Sequence, residues 1–302
     1  MYHTSVLLHE SIDYLGIQPG GSYVDATFGG GGHTRLILEK LGGKGHLYAF
    51  DQDTDAMQNA EEFSGDAAFT FVHSNFRFLK RHLRAEGLRA GSVQGILADL
   101  GVSSYQLDTA ERGFSYRFQA DLDMRMNRQE GLTAADVLNT YDAEELQRMF
   151  SELGEVRNSK TLAQGILRQR EQRLFKTTGD LTEFCGNYLM GERMRYLSQV
   201  FQALRMEVND ELGALEDFLK DAYEMLAPGG RLAVITFHSL EDRMVKNFMK
   251  SGNVEGELEK DFYGNITRPW EPVTKKPIEP SETELKVNNR ARSSKLRVAA
   301  KK

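Results

Sequence analysis

The chain has a single cysteine among its 302 residues, Cys185. No disulfide can close within it and no cysteine-based zinc site can be built, so the thiol is expected to pack as a small hydrophobe. Its seven histidines (His3, His9, His33, His46, His73, His82, His238) show no paired ligand spacing, and no metal is expected. No apolar run approaches the roughly 18 residues of a membrane span. The opening Met1-Tyr2-His3-Thr4 has no basic region followed by an apolar stretch, so it does not read as a signal peptide, and the cytoplasm is the expected compartment. Internal repeats and low-complexity segments are also missing. Monomer and homodimer are both compatible with the sequence.

What is present supports a sizeable core: 40% of residues are hydrophobic and 10% aromatic. The net charge of −6 excludes a protein that coats nucleic acid indiscriminately. The charge is uneven, however. From Glu284 to Lys302 seven Lys or Arg face one acid, a basic tail on an acidic body that suits contact with RNA at one edge.

Short apolar runs alternate with helical patterns from the start. Tyr23–Phe28, His46–Phe50, Ala68–Val72 and Val93–Leu100 read as strands, with helices between them from His33 to Leu41, through Met57 and Ala60, and from Phe76 to Leu88. This βαβαβαβ order predicts a mostly parallel sheet with helices on both faces, an α/β Rossmann-like fold. Strand signal then fades between about Tyr105 and Gln202, and Arg-rich helical patterns take over. A helix over Asn209–Leu226, stopped by Pro228-Gly229-Gly230, and a strand over Arg231–Phe237 resume the sheet. Gly252–Pro280 reads as loop, and Lys295–Ala299 as a last strand at an edge. The expected organisation is a Rossmann-like domain of residues 1–104 and 206–302 with an inserted all-helical subdomain of residues 105–205.

Gly29-Gly30-Gly31-Gly32-His33 lies between a strand and a helix. Glycine there tolerates positive φ and lets a ligand approach the backbone, while the helix start offers free N–H groups and partial positive charge. No Lys-Ser/Thr pair follows, so this is not a nucleoside-triphosphate loop. Asp51 ends the second strand 22 residues after Gly29, the placement of a carboxylate that accepts the ribose hydroxyls of a nucleotide-like cofactor. Either S-adenosylmethionine or NAD satisfies these residues, although the loop is not a clean Gly-x-Gly-x-x-Gly. Asp99 ends the fourth strand, where it can accept from an amino group of a cofactor or a target base, or cap a loop. A non-enzymatic RNA-binding factor that keeps a vestigial pocket is the third alternative at this level.

Longer strings narrow the choice. Asp25 to His33, Asp99-Leu100-Gly101-Val102-Ser103-Ser104 with Gln106-Leu107-Asp108, Glu111-Arg112-Gly113-Phe114-Ser115-Tyr116 and Leu122-Asp123-Met124-Arg125-Met126 occur in order. They are followed by Phe201-Gln202-Ala203-Leu204-Arg205, Phe237-His238-Ser239-Leu240-Glu241-Asp242-Arg243 and Asn289-Arg290-Ala291-Arg292-Ser293-Ser294-Lys295-Leu296-Arg297. Together they resemble the ribosomal RNA small subunit methyltransferase H family, the 16S rRNA cytosine-N4 methyltransferases, from His3 to near the C-terminus. The chain departs from the family pattern at Gln119-Ala120-Asp121, where Gly-Pro is usual, and at Arg195–Val200, where His-Pro-Ala-Thr is usual.

The resemblance implies a class I methyltransferase domain and S-adenosylmethionine as methyl donor. It implies a cytidine in the decoding region of 16S rRNA as target, met in the small subunit or a late assembly intermediate. By position, it puts cofactor contacts on Gly29, Gly31, Gly32, His33, Asp51, Phe76, Asp99 and Gln106. Cytosine N4 is a poor nucleophile because its lone pair is delocalised, and acceptors of its N–H bonds restore density. Asp99, Ser103 and Ser104 are the expected acceptors, since the Asp/Asn/Ser-Pro-Pro-aromatic tetrapeptide of many DNA amino-methyltransferases is missing. His238 is expected either to orient the base or shuttle a proton, or to be satisfied by the adjacent Glu241-Asp242 turn. For RNA contact the candidates are Arg112, Phe114, Tyr116 and Arg117, with Phe118 beside them, where cations and aromatics interleave, and Arg125, Arg205, Arg290, Arg292 and Arg297.

Overall fold

The computed structural model describes residues 5–258, 260, 262–266 and 268–302; the opening Met1-Tyr2-His3-Thr4 segment lies outside them. Its strands are β1 (Ser22–Asp25), β2 (His46–Asp51), β3 (Phe69–His73), β4 (Val93–Asp99), β5 (Leu226–Thr236), β6 (Trp270–Pro272) and β7 (Lys295–Lys301). They form one sheet in the order β3-β2-β1-β4-β5-β7-β6. Pairs from β3 through β5 are parallel, whereas β7 runs antiparallel to both β5 and β6.

Successive strand residues face opposite sides, so both faces need cover. Val24, Ile96 and Val234 pack on one side with Leu83, Phe218 and Phe248 from helices Leu79–Ala85, Glu211–Met225 and Ser239–Ser251. Their neighbours Tyr23, Leu97 and Ile235 pack on the other with Ile12, Leu15, Ile37 and Leu41 from helices Leu8–Leu15 and Gly32–Leu41. This double cover is why the strands read as nearly continuous apolar runs.

The chain divides into two units, Met1–Gly101 with Leu212–Lys302, and Val102–Glu211. The second is helical, with its longer helices at Ala143–Glu152, Ser159–Gln172 and Arg193–Val208. Polar residues set the helix starts: Thr133, Asp142 and Thr177 each close a capping box with the acid three residues on. Leu146, Phe150, Leu162, Ile166, Leu181, Val200 and Leu204 fill its core. Cys185 is buried there, and burial pushes its thiol up to about 12, so it is an inert packing group.

Two sequence expectations are corrected. Pro228-Gly229-Gly230 does not separate the preceding helix from the strand, because β5 already pairs at Leu226 with Val93. The register then jumps to Arg231 opposite Gly95, and residues 227–230 loop out around a positive φ of 78° at Gly229. Second, β7 is not an edge strand. It sits between β5 and β6, pairing Leu296 with Ile235 and Ala299 with both Leu232 and Pro272. Its cations are accommodated inside the sheet by partners distant in sequence: Arg297 is held by Asp242 through Nε–Oδ1 and Nη2–Oδ2 bonds of 2.7 and 3.0 Å. Lys301 lies 4.7 Å from the centroid of the Tyr223 ring and donates to Leu226 O. Among the described residues no helix is long and apolar enough to cross a membrane.

Candidate active site

Three neighbouring parallel strands end in aspartate: β1 at Asp25, β2 at Asp51 and β4 at Asp99. The carboxyl ends of such strands are where open α/β sheets bind ligands. Asp25 builds the glycine loop. Its Oδ1 accepts from Thr27 N at 3.2 Å and its Oδ2 from Thr34 Oγ1 at 2.8 Å, stapling the loop to the helix that follows. Thr27 Oγ1 in turn accepts from Asp99 N at 2.6 Å. Gly29 donates to Asp51 Oδ2 at 2.8 Å and its carbonyl accepts from Asn59 Nδ2 at 2.9 Å.

Gly29 and Gly31 have φ of 51° and 74°. A Cβ at Gly31 would press into the Phe63 and Phe28 rings at 2.8 and 3.2 Å, whereas a Cβ at Gly29 would meet open space. One glycine therefore packs against the core and the other leaves its backbone approachable. Helix Gly32–Leu41 begins here with no side-chain cap, so its first N–H groups face the loop.

The electrostatics are unusual. Burial raises both Asp25 and Asp51 to about 6, the latter against backbone bonds from Asp53 and Gly29 that pull it down. Asp99 is pushed well above the ordinary carboxylate range by burial and then by Asp25, Glu241 and Glu284, and its Oδ1 is buried without a hydrogen-bond partner among the described residues. Crowded, desolvated carboxylates at one sheet end form a cation-seeking crevice. A sulfonium ligand with an α-ammonium group and a ribose diol supplies both the positive charge and the N–H and O–H donors that these groups call for, so the residues present fit S-adenosylmethionine.

Asp25, Thr27, Thr34, Asn59 and Glu284 were missed by sequence reasoning. Asp25 closes β1, but its signal was hidden because apolar residues continue past it to Phe28. Glu284, which accepts from Leu7 N at 2.8 Å, carried none, because its partner lies 277 residues away.

The other expected site residues are placed as follows. His33 is buried, with Nε2 3.2 Å from Val6 O, and burial lowers it to about 4, so the ring is neutral near pH 7. Only its main-chain N–H belongs to the helix start. Phe76 opens a 3₁₀ turn and meets Phe218 edge-on at 5.2 Å. Ser103 and Gln106 form a capping box for helix Ser104–Asp108, with Ser103 N donating to Gln106 Oε1 and Gln106 N to Ser103 Oγ. His238 caps helix Ser239–Ser251 and its Nε2 lies 3.2 Å from Glu241 Oε1, the local arrangement weighed against a proton-shuttle role. Glu241 also accepts from Phe237 N at 2.9 Å.

The RNA candidates are placed as follows. Arg112 is 2% exposed and donates through Nη2 to Arg125 O and Met126 O at 3.0 and 3.1 Å, which organises a loop. Phe114 is buried in the helical core, its ring beside the Arg112 guanidinium. Arg125 spends Nε and Nη2 on Asp123, Arg205 on Glu211 and Arg297 on Asp242, each as a two-pronged pair. Arg117 and Arg292 are exposed, Arg290 is half-buried, and Tyr116 is half-buried with its hydroxyl 3.1 Å from Ser198 Oγ.

The strand order with an antiparallel β7, the glycine loop and the strand-end acids define a Rossmann-like class I methyltransferase, a class that takes its methyl group from S-adenosylmethionine. Within that class, the chain belongs to the MraW methylase family, whose pattern it matches over residues 1–302. It is 52% identical over 301 residues to a ribosomal RNA small subunit methyltransferase H from Flavobacterium johnsoniae, covering 99% of this chain and 98% of the relative. It is 53% identical to proteins of the same name from Phocaeicola vulgatus and Bacteroides thetaiotaomicron, in each case over 100% of this chain and 98% of the relative.

Proposed function

We propose that this protein methylates N4 of a cytidine in the decoding region of 16S rRNA, in the cytoplasm, on the small subunit or a late assembly intermediate. The observation that carries this reading is Asp99, which has a buried carboxyl oxygen without a hydrogen-bond partner among the described residues, at the end of β4. S-adenosylmethionine supplies an electrophilic methyl group when bound. The backbone of Gly31, Gly32 and His33 would hold its amino-acid end, Asp51 its ribose diol, and Phe76 and Asp99 its adenine side. Asp99, alone or with the Gly101–Ser104 segment, would accept N–H bonds from the exocyclic amine and so restore lone-pair density at N4. Its raised pKa makes its ionised form a better acceptor for the proton that the amine sheds than an ordinary carboxylate.

The test is transfer of labelled methyl from S-adenosylmethionine to unmethylated small subunits, followed by nucleoside mass spectrometry. N4-methylcytidine is the expected product; label on another nucleoside, or none on subunits or assembly intermediates, would overturn the assignment.

Asp51 gives a pH dependence. Ribose hydroxyls donate to the ionised carboxylate, and the folded-state pKa is raised to about 6, so the competent form is lost as pH falls through that value. Affinity for S-adenosylhomocysteine, measured by calorimetry, should hold from pH 8 to 7 and drop by up to about tenfold per pH unit below 6. Asp51→Asn should bind more weakly at pH 7 and flatten the profile. An unchanged wild-type affinity at pH 5 would remove Asp51 from the site.

A further inference from the structure

The helical unit has a concavity of about 540 Å³ between the loop Tyr116–Gln119, one face of helix Thr178–Cys185 and the start of helix Arg193–Val208. None of its lining residues belongs to the strand ends that hold the methyl donor's cradle. Phe118 is 41% exposed on its rim, an unusual position for a phenylalanine in a unit with a well-filled core. Arg117 and Arg193, both exposed, bring positive charge to the same opening, and Glu183 and Gln119 bring polar groups. Gly179 lets the Gln119 side chain lie directly on the helix, so that amide forms part of the wall.

The loop is also held firmly. Thr178 Oγ1 donates to Phe118 O at 2.6 Å, Ala120 N donates to Thr178 Oγ1 at 3.1 Å, and Thr178 N donates to Ala120 O at 2.9 Å. Gln119 Nε2 reaches Thr177 Oγ1 at 3.2 Å, and the Tyr116 ring stands edge-on to Phe201 at 5.4 Å. An exposed aromatic on a pinned backbone, flanked by two guanidinium groups, is a stacking platform with phosphate clamps.

We infer that this concavity receives an unpaired nucleotide of the substrate RNA other than the cytidine that is methylated, with its base on Phe118 and its phosphates against Arg117 and Arg193. Glu183 lines the same concavity and can accept from the base edge, so the pocket favours a base with an amino or imino donor as well as anchoring the strand. The inference rests on the RNA-methylating function proposed above and adds a second point of recognition on the same substrate.

Phe118→Ala should raise KM for the small subunit by about tenfold, as loss of one base stack does, while kcat at saturating substrate and affinity for S-adenosylhomocysteine stay at wild-type values. Phe118→Trp should restore KM and the apolar Phe118→Leu should not. Arg117→Ala and Arg193→Ala should each flatten the dependence of log affinity on log salt by about 0.7, the single-strand value per phosphate. In parallel, subunits reconstituted with 5-iodouridine- or 5-iodocytidine-substituted 16S RNA are irradiated with the protein, and the cross-linked peptide is sequenced. A cross-link at Phe118 or Tyr116 to a nucleotide near, but distinct from, the methylated cytidine is expected. A cross-link to the methylated cytidine itself, or only to a ribosomal protein, would overturn the inference, as would wild-type KM in Phe118→Ala. A wild-type protein that makes no N4-methylcytidine would instead overturn the functional reading, and the cross-link, which needs no methyl transfer, still decides the pocket.

Discussion

Asp99→Ala is expected to reduce kcat for methyl transfer by about 100- to 1,000-fold, the cost of removing one preorganised polar group from a water-poor reaction centre. The geometry allows a large effect with little damage to the fold. The main-chain N–H of Asp99 holds Thr27 Oγ1 and its strand pairs with β1 and β5, whereas the side-chain Oδ1 has no hydrogen-bond partner among the described residues. Alanine also removes a carboxylate that Asp25, Glu241 and Glu284 repel, so thermal stability should stay level or rise. Measurement at saturating donor separates two roles. Loss of kcat with retained S-adenosylhomocysteine affinity puts Asp99 against the amine; weaker binding with kcat recovered at high donor concentration puts it against the cofactor. Wild-type kcat and affinity together would remove it from the site.

Arg112→Ala is expected to act through folding. The guanidinium is almost fully buried, and its Nη2 bridges the carbonyls of Arg125 and Met126. Its removal strands two buried acceptors and leaves a cavity beside Phe114, a loss of about 3–5 kcal/mol and roughly 10 °C in the melting temperature. Lysine, which cannot reproduce the planar fork, should recover only part of this. Differential scanning calorimetry decides the matter. A wild-type melting temperature with specifically weakened RNA affinity would return Arg112 to the RNA surface. Phe118→Ala, by contrast, should melt like wild type.

These two residues show where sequence is legible. β1, β2 and β4 are visible because double-sided burial writes apolar runs, and the places of Asp51 and Asp99 follow from an acid that closes the run, whereas Asp25 is hidden because apolar residues continue past it to Phe28. Arg112 is indistinguishable from a surface cation in sequence, because what buries it is a pair of main-chain carbonyls 13 and 14 residues further on. β7 was misjudged for a similar reason. Alternating Lys and Arg signal an edge unless partners such as Asp242 and Tyr223, more than fifty residues earlier in the chain, neutralise them. Pro228-Gly229-Gly230 is a genuine break in local backbone, but strand pairing on either side spans it.

The position of β7 has a consequence for biogenesis. Translation delivers strands in the order of the sequence, yet β7, which emerges after β6, fills an interior slot between β5 and β6. Until residues 295–301 leave the ribosome, the long apolar strand β5 presents an unpaired margin, the sort of surface on which nascent chains stick to one another. The helical segment 102–211 is contiguous and can condense while the sheet waits. Nonsense or frameshift lesions that remove residues 295–301 should therefore be as harmful as early ones, and the nascent chain should draw chaperones until those residues are free.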